Sequence, residues 1–308
     1  MHWSHCKHLL PLAGRAHTGL SRSMGSKAST SKSPQAEAGA AGPVRTARTS
    51  IAISDAPADQ VLASALRKSP CDVLACCAAL QQGASYQTYL AVKGTSAFAR
   101  LAGIPGQDGS FRSANELLSA LIVAGANASM EVDVSGSMST PLLQACAAGC
   151  LGNVQLLVEH GASPVQVVAG VSGFRAACDC SNDEQAIACV TALAEASGQA
   201  AVRRCEASAQ QPALYTACRL GRDEFAAALL RCGLAVSSAS KVDGNTALHL
   251  AAERGNAALL DALVSDADAV DLQDAKACKN KAGRTPLEAA RAAGLSEDVM
   301  HEVQQLLT

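Results

Sequence analysis

The chain has 308 residues and a net charge of −2 at pH 7, and it is 49% apolar but only 3% aromatic, so its core must be built from Ala, Leu, Val and Cys. Beyond residue 50 it holds 18 basic against 26 acidic residues, a balance that argues against a phosphate-binding track and hence against nucleic acid as partner. Thirteen cysteines, an odd count without a secretory leader pattern, point to reduced thiols, and no run of 18 apolar residues is present to span a membrane.

Residues 1–57 are rich in Ser, Ala, Gly, Lys and Arg without sustained apolar periodicity, and are predicted to be a disordered basic tail. Within residues 1–50, seven Lys or Arg face one acid, Glu37. Two further readings stay open for this tail. It is compatible with an organelle transit peptide, being free of acids through Ala36. From Met24 it reads MGSKAS, which fits N-myristoylation of Gly25 if translation starts at Met24, with Lys27 and Lys32 nearby. A single acyl chain would give weak membrane attachment only. The expected location is cytoplasmic, with the inner face of a membrane or an organelle as the alternatives those two readings carry.

From about residue 58 the texture changes to short helical stretches separated by Gly, Ser and Asn. Asp72–Ser85 reads as the second helix of an edge unit, and Asn115–Asn127 as the second helix of a unit whose first helix lies near Thr95–Leu101. The segment TPLLQACAAGCLGNVQLLVEHGAS (140–163) aligns without gaps on TALHLAAERGNAALLDALVSDADA (246–269). PALYTACRLGRDEFAAALLRCGLA (212–235) joins the same register, and TPLEAARAAG (285–294) begins a further copy. A weaker copy, SGFRAAC, runs from Ser172 to Cys178. About seven helix-turn-helix units with a period of 34 to 40 residues follow.

The chemistry of one unit is legible. Thr, or a relative, caps the first helix, with Pro at its first position in two copies. Paired small residues, such as Ala145/Cys146 and Ala251/Ala252, allow close helix approach. Gly149, Gly221, Gly255 and Gly294 sit where the chain must reverse through a left-handed conformation. A Leu-rich stripe marks the second helix, as in Leu156/Leu157 and Leu229/Leu230. Ser181 with Glu184 reads as a capping box, and Ser296 with Glu297 and Asp298 as a similar start. No unit of this size buries its stripe alone, so the stack is the folding unit.

The segments DGNTALHLAAERGN (243–256) and KAGRTPLEAARAAG (281–294) resemble ankyrin repeats, whose signature is T-P-L-H-x-A. The resemblance extends from 58 to 308, with clearer units at 135–166, 207–238, 241–273 and 280–308 and degenerate ones at 58–134 and 170–198. It implies an all-α solenoid with β-turn fingers along one edge, binding a partner protein in a concave groove. By position in the family's pattern, the contact residues would be Gln211, Arg219 and Leu220; Val242, Asp243, Asn245, Glu253 and Arg254; and Lys281, Arg284 and Arg291. Insertions at about 102–112 and at AKACKN before Thr285 add candidate contact loops.

Other constellations lead to no catalytic, cofactor or metal site. His249, at the family's His position, is expected to hydrogen-bond between neighbouring units. Cys146, Cys178 and Cys218 fall at a buried small-residue position and lack the paired knuckles of a zinc site. Cys150 and Cys278 fall in turns and are the expected reactive thiols. No phosphate loop, nucleophile elbow or paired-carboxylate pattern is present, so no enzyme is expected.

Overall fold

The computed structural model describes residues 55–68, 71–104 and 111–308, all within one compact unit, Thr49–Thr308. The tail reading, including Gly25, therefore lies outside the described residues, as does most of the 102–112 insertion.

In chain order, α1 (Pro57–Arg67) starts with Pro at its first position, inside the stretch expected to be tail, and pairs with α2 (Val73–Gln81). Asp72 starts α2 by accepting the Ala75 N–H at 3.1 Å. Next comes α3 (Tyr86–Lys93), then the pair α4 (Ser96–Ala102) and α5 (Phe111–Val123). A two-stranded antiparallel hairpin follows, β1 (Val132–Val134) and β2 (Ser137–Ser139), with Val132 opposite Ser139. Its tip, Ser135–Gly136, has two positive φ angles of 60° and 89°, as a tight hairpin turn demands.

Thr140 then caps α6 (Pro141–Ala148), which ends on Gly149 in the left-handed region and turns into α7 (Leu151–Glu159). The pair α8 (Gly173–Ala177) and α9 (Asp183–Ser197) begins at Ser172, whose hydroxyl accepts the Arg175 N–H. A single helix α10 (Gln199–Ser208) precedes α11 (Ala213–Leu220) and α12 (Asp223–Arg231). Then come α13 (Ala247–Glu253) with α14 (Ala257–Ser265), the single helix α15 (Ala269–Ala277), and α16 (Pro286–Ala293) with α17 (Glu297–Leu307).

The paired helices build two layers. The first helices α4, α6, α8, α11, α13 and α16 stack each on the next, and the second helices α2, α5, α7, α9, α12, α14 and α17 form the parallel row behind them. Small residues are why the front row fits: Ala145, Ala177, Ala217 and Ala251 have no solvent exposure, and Cys146, Cys178 and Cys218 lie buried beside them. Leu157, Leu193, Leu229 and Leu260 fill the space between rows. At the turn between α13 and α14, Gly255 has φ +62°, and a Cβ there would sit 2.5 Å from Val299 Cγ1. Both backbone conformation and space demand glycine at that turn.

Several local expectations need correction. The cap of α9 is Asn182, not Ser181: Asn182 is extended and its Oδ1 accepts the Gln185 N–H at 3.1 Å. Ser296 holds the cap position of α17, but its side chain makes no capping hydrogen bond, leaving the first-turn acids Glu297 and Asp298 to oppose the helix dipole. AKACKN is no loop insertion in its first half, because Ala275–Ala277 complete α15, which Asp268 caps by accepting the Val270 N–H. Among the described residues only the 132–139 finger is a β-hairpin of two strands; α3, α10 and α15 occupy three of the other connections, while those leading into α8 and α13 hold no helix.

Candidate partner-binding surface

Successive fingers are tied by their backbones. The Gln210 N–H donates to Gly170 O at 2.9 Å, the Lys241 N–H to Gln210 O at 3.0 Å, and the Lys281 N–H to Asp243 O at 3.0 Å. Lysine side chains reinforce the same edge. Lys241 Nζ donates to Ser208 O, and Lys281 Nζ donates to Lys241 O at 2.7 Å and Val242 O at 2.8 Å. Lys281, assigned by position to partner contact, is thus occupied by the preceding finger.

Polar side chains continue these ties down to the front helices. Tyr215 Oη donates to Asp243 Oδ2 at 2.7 Å, Asn245 Nδ2 donates to the same oxygen, and Asn280 Nδ2 donates to Asn245 Oδ1 at 2.8 Å. Burial raises the Asp243 pKa, but the hydrogen bonds from Tyr215 and the Asn245 N–H prevail and hold it below the usual carboxylate range. Glu253 moves the opposite way, pushed up by burial and by Asp243 and only partly offset by Arg284 and Arg254. His249 has no solvent exposure. Its Nδ1 accepts the Thr246 N–H at 3.2 Å, and its Nε2 lies 3.0 Å from Arg284 O in the next unit, as expected.

Arg254 serves the frame as well. Its guanidinium donates to Cys218 O at 2.5 Å and Arg219 O at 2.6 Å, closing the carbonyl end of α11 where cations are favoured. Arg222 does the same for α8, donating to Cys178 O at 2.8 Å while its Nε reaches Asp183 Oδ1 at 2.6 Å and its guanidinium lies over the Phe225 ring. Arg222 and Arg254 sit on opposite sides of their turn glycines, so a gapless alignment does not reveal the shared role.

Sequence reasoning also missed Glu206 of α10, a carboxylate that is 1% exposed. It accepts from Ser172 Oγ and from the Ala213 N–H, both at 2.6 Å, and so supplies the cap that Pro212 cannot give α11. Burial raises its pKa, and those two donors pull it back in part.

The remaining predicted contacts are the ones left open. Val242 is 53% and Leu220 48% exposed, and the side chains of Arg219, Arg284 and Arg291 are exposed; Gln211 and Glu253 are half-buried. Cys150 does not fit its expected role. It is 5% exposed, its Sγ donates to Ile104 O at 3.3 Å, and burial pushes the thiol up to about 11, which disfavours the reactive thiolate. Cys278 is half-buried, and burial raises its pKa too. Among the described residues no group of His, Cys, Asp and Glu is arranged to hold a metal ion, and no helix is long and apolar enough to cross a membrane.

The family model described as Ankyrin repeats (3 copies) matches residues 174–274 and 214–302. No curated protein matches the sequence at a significant level. Among solved structures, the chain is similar to the human ASB11 ankyrin repeat domain, with 20% identity and a TM-score of 0.50 over 82% of this chain and 97% of that one. At that identity the likeness speaks for the fold alone, and it agrees with the two stacked rows of short helices. With the family's model matched on α8 to α17 and its fold continued by the helices before them, this chain is an ankyrin-repeat protein.

Proposed function

We propose that the chain is a non-enzymatic scaffold or adaptor that captures a partner protein on the face formed by α11, α13, α16 and the fingers leading into them. One observation carries this reading. The frame ties down Asp243, Asn245, Arg254 and Lys281, while Leu220 and Val242 remain about half exposed alongside exposed Arg219, Arg284 and Arg291. Exposed apolar side chains ringed by charge on a rigid support suit protein recognition. The cationic rim favours a partner offering carboxylates around an apolar residue.

The test is affinity purification from cells with a variant carrying Leu220→Asp, Val242→Asp, Arg284→Glu and Arg291→Glu. These positions, unlike Asp243 and Arg254, hold no side-chain hydrogen bond between units. Partners recovered by the wild type should be lost while the thermal unfolding midpoint stays put. Recovery of the same partners by the folded variant would remove this face as the binding site.

A further inference from the structure

The N-terminal helices α1, α2, α3, α4 and α5 line an open-sided cavity of about 630 Å³. Small-molecule sites span about 300–1,000 Å³ and combine an apolar wall with a few polar groups. Here the wall includes Leu66, Val73, Leu101 and Leu117. At its edge Leu74 is 71% and Ile104 48% exposed, two large apolar side chains that line the same cavity.

The polar groups on this wall are unequally satisfied. Asp72 is tied to Lys68 at 2.9 Å. Lys93 and Arg100 are exposed and line the cavity without a carboxylate partner among the described residues, and Arg100 spends one guanidinium nitrogen on Ser135 Oγ at 3.2 Å. Tyr89 is only 4% exposed, and its hydroxyl has no hydrogen-bond partner among the described residues. The hydroxyl oxygen is not sealed from solvent, so it is free to donate to a ligand. Two cations and an unused hydroxyl on an apolar hollow are complementary to an anion with an aliphatic tail.

We propose that this cavity binds a long-chain aliphatic carboxylate, such as a free fatty acid. The chain lies against Leu66, Leu101 and Leu117, and the carboxylate meets Lys93, Arg100 and the Tyr89 hydroxyl. The assignment is independent of the partner-binding face, which uses other helices.

Titration of the full chain with the fluorescent fatty acid cis-parinaric acid, at concentrations below micelle formation, tests it. Saturable binding of one equivalent is expected. Palmitate should displace the probe, laurate should do so several-fold less well because fewer methylenes are buried, and palmityl alcohol should be weaker by about tenfold or more for want of charge-assisted hydrogen bonds. Lys93→Met with Arg100→Met should weaken binding by a similar factor without moving the thermal midpoint, and Tyr89→Phe should weaken it less. If the double variant fails to fold, Tyr89→Phe and the acid–alcohol comparison on the wild type decide. Absence of saturable binding, or equal displacement by acid and alcohol, overturns the proposal; equal displacement would mark the hollow as a seat for an apolar side chain.

Discussion

His249 joins two functions in one ring, closing the cap of α13 through Nδ1 and reaching Arg284 O through Nε2. Burial lowers its pKa from 6.5, only partly opposed by the Arg284 carbonyl and by Asp243. The unfolded chain therefore takes up a proton as pH falls through about 6.5 while the folded chain does not, so stability falls in that direction and returns as pH rises. Glu206 acts oppositely: its raised pKa means that the folded state holds the proton more firmly above 4.5, so acidification favours folding through that group. His249→Gln keeps a capping-box residue at the third helical position but has nothing to titrate near neutrality. Urea unfolding at neutral pH and at about pH 5 should show a smaller acid loss in His249→Gln than in the wild type. Equal losses in the two proteins would mean that the ring takes up its proton over the same pH range folded and unfolded.

At the scale of elements, the paired helices could be read from the chain because each announces itself locally. Thr140 and Thr285 precede Pro, the turn glycines end the first helices, and the small-residue pairs recur in register. The three single helices had no such register. In α15 only Ala275 is deeply buried, and α10 is held by Val202, Cys205 and Glu206, so no continuous apolar stripe marked either. The ties between units were invisible for a related reason, since Tyr215, His249 and Arg254 reach partners 28, 35 and 36 residues away. Spacing identified where a side chain stood in its unit, but not whether a neighbour would claim it, which is why four of the expected contact residues proved to be stitches. Glu206 shows the consequence most sharply. Glu206→Ala would leave Ser172 Oγ and the Ala213 N–H buried without an acceptor, at about 1–3 kcal/mol for each such group. Glu206→Gln, which keeps a carbonyl oxygen, should lose less. Chemical denaturation of the two variants checks the order, and equal losses would point to side-chain volume rather than capping.

At the scale of the molecule, stability in such a stack is close to a sum of unit energies and neighbour interfaces. Leu248 has no solvent exposure and lies in α13, which packs on α11 and α16 as well as on its own partner α14. Its side chain therefore belongs to the interior of the stack rather than to one unit. Leu248→Ala removes it and should cost about 2–5 kcal/mol, the range for a buried leucine whose surroundings relax only in part. The form of the unfolding curve carries further information. If the stack unfolds as one, circular dichroism and the fluorescence of a probe at Cys278 will shift together to lower urea. If the weakened interface uncouples the C-terminal units, the Cys278 probe, which lies between α15 and α16, will report an earlier transition than the bulk helix signal. A loss below about 1 kcal/mol would be too small for a leucine filling the interior, and would place α13 in a different register from the one that brings His249 to Arg284.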